Sequence, residues 1–139
     1  AAVGLAQTEQ IKKSINIKIK LGRYYRDKLS EIKEIRFMVE KPYAKSVYWV
    51  YAIELKPEYG IDAEELIKRL KRHNIGSRHF FKGLHHQPAL NKLSLFRKER
   101  YPRTDYAYKY GLYLPSGLAL SERQIDKVVE ALKKELTKR

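Results

Sequence analysis

Apolar side chains recur every third or fourth residue across residues 5–32, and this spacing constrains the chain more than any other feature. Ile11, Ile15, Ile19, Gly22, Tyr25, Leu29 and Ile32 form one continuous face of a long helix. Inside it, Ile15-Asn16-Ile17-Lys18-Ile19-Lys20-Leu21 alternates as a half-buried strand would. Helical spacing before and after, with no turn residues between, decides for helix. Ile17 and Leu21 then make a second apolar row, so the helix is expected to pack on more than one side. No capping side chain precedes Ala1, so the pattern reads as entered partway and the chain as a truncated piece.

The remainder alternates strand and helix signals. Ile35-Arg36-Phe37-Met38-Val39 is a short strand stopped by Lys41-Pro42. Residues 46–55 hold Val47, Tyr48, Trp49, Val50, Tyr51 and Ile53, and this β-branched and aromatic density predicts a central strand. Asp62 opens a helix, with Glu65 three residues on and Ile61 and Leu66 as the hydrophobic staple; the helix ends near His73-Asn74. A strand over residues 77–81, a helical turn within 88–96 and a basic loop over 97–103 follow. Residues 104–110 suit a short helix, with an extended form as the alternative, and Leu112-Tyr113-Leu114 is a strand ended by Pro115-Ser116-Gly117. Ser121 and Gln124 make a capping box for the last helix, with Leu120 and Ile125 as its staple. Ile125, Val128, Val129, Leu132 and Leu136 form its buried stripe, while Lys133, Lys134, Lys138 and Arg139 suit its negative end. The expected class is α+β: a long N-terminal helix, then a small, mostly antiparallel sheet packed against helices.

Composition limits what such a fold can do. At 139 residues the chain is one folding unit by size, and no apolar run is long enough to cross a membrane. With no cysteine there is no disulfide frame or thiolate metal site, and the cytoplasm is the expected compartment. The net charge of +14, from 30 Lys and Arg against 16 Asp and Glu, attracts polyanions such as nucleic acid or phosphorylated ligands. An excess of this kind also suits half of an assembly whose other part is acidic.

Candidate chemistry concentrates in residues 75–88, Ile75-Gly76-Ser77-Arg78-His79-Phe80-Phe81-Lys82-Gly83-Leu84-His85-His86-Gln87-Pro88. Three of the four histidines lie here, but the spacing of His73, His79, His85 and His86 matches no common zinc pattern, and no metal is expected. Arg78 beside a turn glycine suits two-pronged capture of a carboxylate or phosphate; its competing role is a surface ion pair. The tyrosines at 101, 106, 108, 110 and 113 read either as a base-stacking platform or as packed rings, and packing is favoured. No Gly-rich phosphate loop, GxSxG elbow or HExxH motif is present, and no catalytic residue is singled out.

Four segments in order resemble a known family. Ala1-Ala2-Val3-Gly4-Leu5-Ala6-Gln7 with Arg23-Tyr24-Tyr25, then Val47-Tyr48-Trp49-Val50-Tyr51, then residues 75–88, then Leu112-Tyr113-Leu114-Pro115-Ser116-Gly117-Leu118 with Ser121, Gln124, Ile125 and Val128 carry the likeness. Together they resemble the C-terminal part of the pyridoxal-phosphate-dependent nucleotide-sugar aminotransferases, the DegT/DnrJ/StrS group, perosamine-synthase-like members among them. The resemblance implies residues 1–33 as a long interdomain helix and 34–139 as the small C-terminal domain of a fold-type-I aminotransferase. It implies a parent enzyme that moves an amino group from an amino acid, usually glutamate, to a nucleotide-linked keto-sugar for polysaccharide or cell-surface glycan synthesis. Such a parent is a homodimer, or pairs this piece with a large domain.

By the same resemblance, Arg78 contacts a carboxylate or phosphate and His85 faces the sugar-nucleotide. The Schiff-base lysine and the ring-holding residues belong to a domain upstream. No cofactor-binding residue and no bound pyridoxal phosphate are therefore expected in this chain, and alone it is expected to be inactive. Asn74, His79 and Gly83 depart from the family's Gly, Pro and Pro, and the loss of the two prolines is expected to loosen the loop that carries Arg78 and His85. The alternative to this whole reading is a free-standing basic domain that binds nucleic acid or a partner protein.

Overall fold

The computed structural model describes residues 1–137, so Lys138 and Arg139 of the basic C-terminus lie outside the described residues. Helix α1 (Ala2–Glu9) and helix α2 (Ile11–Leu29) replace the single long helix expected. Gln10, at φ −94° and ψ 0°, separates them. A periodicity of side chains is blind to this, because one residue in the bridge region leaves the three-and-four spacing intact. Only the second segment has a buried face. Ile19, Leu21, Gly22, Tyr25 and Leu29 are buried in α2, while α1 has no buried residue and exposes Val3 and Leu5.

Four short strands follow: β1 (Ile35–Phe37), β2 (Tyr51–Leu55), β3 (Arg78–His79) and β4 (Gly111–Leu114). They form one sheet in the order β1-β2-β4-β3, and every pair is antiparallel. Ile35 pairs Leu55, Ile53 pairs Leu112, and Arg78 pairs Tyr113. Between the strands lie α3 (Ala63–Arg72), the short α4 (Pro88–Lys92) and α5 (Pro102–Tyr110), and α6 (Glu122–Thr137) closes the chain. The α+β class is as expected, and β2 is central.

The register sorts side chains between two faces. Tyr51, Ile53, Leu55, Leu112 and Leu114 join one core with Tyr25 and Leu29 of α2, Leu66 and Leu70 of α3, and Ile125, Val128 and Leu132 of α6. On the opposite face, Ala52 stands beside Tyr113 and Glu54 beside Gly111. Phe80 stacks on Tyr113 at 4.8 Å between centroids. A side chain at Gly111 would begin 2.4 Å from Phe80 and 2.5 Å from the carbonyl of Ala107, so only glycine fits there.

The strand expected over residues 46–55 is cut to its second half. Tyr48 sits at φ 47°, a left-handed conformation that a continuous strand cannot contain. That turn drops its ring into the space above Gly22 of α2. Tyr51 then stacks against Tyr48 at 6.1 Å and Tyr25 at 4.5 Å, and the Tyr25 hydroxyl donates to the carbonyl of Pro115 at 2.9 Å. The strand expected over 77–81 is similarly reduced to Arg78–His79.

The helix starts follow their chemistry. Asp62 accepts from the amide of Glu65 at 3.0 Å. Ser121 accepts from the amide of Gln124 at 3.3 Å, and the Gln124 side chain accepts from the amide of Ser121 at 2.9 Å. Residues 104–110 are helical, with Pro102 at the first turn, so the basic loop ends earlier than expected.

Candidate functional site

Helix α3 delivers the chain to the site. It ends at Arg72, and Asn74 at φ 59° turns the backbone toward β3, which runs along β4. Ile75 is buried and anchors this turn, while Gly76, Ser77, Arg78 and His79 pass along the mouth of a cavity. Trp49, Val50, Phe81, Tyr113, Leu114 and Pro115 complete a lining that encloses about 500 Å³. This volume suits a small organic ligand.

Two features of the cavity point to polar recognition. Arg78 has no ion-pair partner among the described residues. The Ser77 hydroxyl and the His79 Nδ1 are buried without a hydrogen-bond partner. Orphaned polar atoms beside a free guanidinium form a donor-rich wall, and the Trp49 indole, 70% exposed, adds a flat apolar face. Trp49 and Tyr113 read in the sequence as strand residues. Their role in the cavity emerges only when the Tyr48 turn and the β3–β4 pairing bring them together.

His85 is placed elsewhere. It belongs to the 3₁₀ turn Leu84–His86, is not among the cavity-lining residues, and leaves only 10% of its side chain exposed. Its Nε2 lies 2.7 Å from Oδ1 of Asp105 on α5, and Nε2 of His86 lies 2.7 Å from the same oxygen. These hydrogen bonds, that from His86 first, hold the Asp105 carboxyl below its ordinary value. The Tyr101 ring stands 5.0 Å from the His85 ring. Gly83 has φ −56° and ψ 147°, values a proline shares, so the backbone there keeps the shape that the missing proline would impose. A side chain at Gly83 would instead begin 2.5 Å from the His85 ring.

The tyrosines pack against protein rings. Tyr108 stacks with His79 at 5.1 Å, Tyr106 meets Tyr110 at 4.9 Å, and Tyr113 is covered by Phe80. This agrees with the packing role and leaves little of a base-stacking platform.

Lys18 is the lysine whose burial pulls its pKa down, and its ammonium donates to the carbonyl of Ser116. A pyridoxal phosphate site needs such a lysine opposite a partner for the pyridine nitrogen. The cavity beside Lys18 is lined by Ser14, Ile15, Val47, Trp49, Ser116, Gly117 and Leu118, none of them a carboxylate. These residues do not fit the cofactor by themselves. No helix among the described residues is long and apolar enough to cross a membrane.

Comparison with known proteins agrees with this architecture. The model of the DegT/DnrJ/EryC1/StrS aminotransferase family matches residues 1–133. The chain is 28% identical over 133 residues to a putative pyridoxal phosphate-dependent aminotransferase, EpsN, of Bacillus subtilis, covering 95% of this chain and 34% of that protein. It is 28% identical over 133 residues to the GDP-perosamine synthase of Vibrio cholerae, covering 96% of this chain and 35% of that protein. Among solved structures, DesV of S. venezuelae superposes with a TM-score of 0.83 at 18% identity, over 99% of this chain and 36% of that one. The chain thus spans about a third of the length of the relatives it matches. With the family pattern covering nearly all of its residues, the chain belongs to the DegT/DnrJ/EryC1/StrS aminotransferase family.

Proposed function

We propose that this chain is the C-terminal portion of a pyridoxal-phosphate-dependent aminotransferase that transfers an amino group from glutamate to a nucleotide-linked keto-sugar. The observation that carries the reading is the family match over residues 1–133, at one third of the relatives' length. The names of two such relatives, a putative pyridoxal phosphate-dependent aminotransferase and a GDP-perosamine synthase, support the cofactor and the substrate class. In this reading residues 1–33 link two domains, 34–139 are the small domain, and the partner is a large domain or a second copy in a cytoplasmic homodimer. The product serves polysaccharide or cell-surface glycan synthesis.

Arg78 takes the anionic group of the sugar-nucleotide or of the amino donor. Its freedom from ion pairs and its place in a cavity beside Trp49 support that role. His85 contributes to the sugar-nucleotide side through whatever part of its ring Asp105 leaves available. The cofactor, once bound, supplies the electron sink for amino transfer. This chain contributes a wall of the substrate site.

Two measurements test the reading. The chain alone, mixed with pyridoxal phosphate and reduced with borohydride, shows no one-to-one labelling of a single lysine by mass spectrometry and stays inactive. The chain joined to an aminotransferase large domain converts glutamate to 2-oxoglutarate when given nucleotide-linked keto-sugars. One-to-one labelling of a single lysine in the chain alone, or no turnover with any such sugar in the joined protein, overturns the proposal. The charge of +14 keeps nucleic acid as a second reading, for which binding to generic DNA or RNA falls steeply with salt.

A further inference from the structure

We propose that His85, His86 and Asp105 form a binding site for a borderline divalent cation of the zinc class. The three side chains come from two elements, and their ligand atoms all lie within 4.8 Å of one another. One carboxylate oxygen receives both imidazole edges, each at 2.7 Å, so the donors converge on a point rather than spread along a surface. The site goes beyond amino transfer and does not rest on it.

Coordination chemistry favours this use of the cluster. Two imidazoles and a carboxylate are a common donor set for zinc-class metals, with the remaining position left to water. Zinc bonds of about 2.0–2.1 Å in a tetrahedral arrangement separate neighbouring ligand atoms by roughly 3.3 Å. Each imidazole therefore backs away from the Asp105 oxygen by about half an ångström, and the two imidazole ligand atoms, within 4.8 Å of each other, adjust to the same spacing to admit the ion. His86 and Asp105 are 44% and 46% exposed, which gives the ion a path in and water a place to complete its shell.

The geometry is also held in advance. The His85 ring stands between His86, at 4.0 Å, and Tyr101, at 5.0 Å. It occupies the space that any side chain at position 83 would claim, so Gly83 is the residue that lets it turn toward Asp105. Asp105 lies in the first turn of α5, where the helix dipole favours a carboxylate in its charged, metal-binding form. Magnesium and calcium are disfavoured, because they prefer all-oxygen shells. Bound zinc ties the turn at 84–86 to α5 and commits Nε2 of His85 to the metal.

The test titrates the untagged 139-residue chain with Zn²⁺ by calorimetry and with Co²⁺ by visible absorption. One ion binds per chain, and His86→Asn and Asp105→Asn each weaken it at least tenfold. His73→Gln, a histidine paired with Glu135 outside the cluster, leaves the affinity unchanged. Zn²⁺ raises the unfolding temperature of the wild type and not of the two cluster variants, since a ligand of the native state alone stabilises it. Circular dichroism confirms that both variants stay folded, as their exposure predicts. Absence of Zn²⁺ binding at micromolar concentrations, or equal binding by wild type and both variants, overturns the proposal.

Discussion

The Tyr48 ring occupies the place where a side chain on Gly22 would begin: a β-carbon there would lie 2.2 Å from Cγ of the tyrosine. Gly22→Ala in a helix interior ordinarily stabilises by about 1 kcal/mol. Here the clash reverses the sign, and the expected loss is about 1–3 kcal/mol, measured by urea unfolding. Tyr48→Ala opens the space, so adding Gly22→Ala to it costs much less than Gly22→Ala in the wild type.

Alkaline pH weakens the same tyrosine ladder. Burial, and then the neighbouring Tyr51, push the Tyr25 hydroxyl well above its ordinary value of 10.0, and burial does the same to Tyr51. A raised folded pKa gives stability that is complete below the unfolded value and is lost as pH rises past it toward the folded one. Stability should therefore hold to about pH 10 and then fall by up to about 1.4 kcal/mol per pH unit for each buried tyrosine. Urea midpoints measured across that range, with tyrosinate absorbance followed in parallel, check the expectation. A flat profile contradicts it.

Arg78 is exposed on β3, so its replacement is expected to spare the fold and cost ligand affinity. In the protein joined to a large domain, Arg78→Ala weakens binding of the sugar-nucleotide or of the amino donor by about tenfold or more. Arg78→Lys restores only part of it, because an ammonium lacks the two-pronged fork. Trp49 is the single tryptophan of this chain and lines the same cavity, so its fluorescence reports occupancy if the joined domain is chosen without tryptophan. Unchanged affinity for both ligands removes Arg78 from the site.

The capping box at the last helix gives a smaller, independent effect. Ser121→Ala removes the acceptor for the Gln124 amide, and the expected cost is about 1 kcal/mol in thermal or urea unfolding. Binding at the cavity should not change.

These expectations differ in how far the sequence alone carries them. The caps at Asp62 and at Ser121 with Gln124 were legible because the partners lie three residues apart. The break at Gln10 and the left-handed turn at Tyr48 were not, since both leave the order of apolar residues untouched. Tyr48 also had the wrong residue type for such a turn, and the Gly22 gap is what gives its ring room. At the cavity, the residue that turns the chain toward Arg78 is Asn74, at φ 59°, where the sequence pointed to a glycine. The meeting of His85 and His86 with Asp105 was not legible, because it joins residues some twenty positions apart through a fold that spacing does not encode.

The sheet order β1-β2-β4-β3 has a consequence for how the chain is made. Its two central strands are separated in sequence by α3, β3, α4 and α5, so their pairing must close a long loop. During synthesis, β1 and β2 emerge as a lone hairpin with an open edge, and β4 reaches it only after α3, β3, α4 and α5 have been made. Isolated hairpins of this kind are marginal in water. The nascent chain therefore carries an unsatisfied strand edge until the segment between β2 and β4 has been made, and β4 is the element that ends that exposure to misassembly.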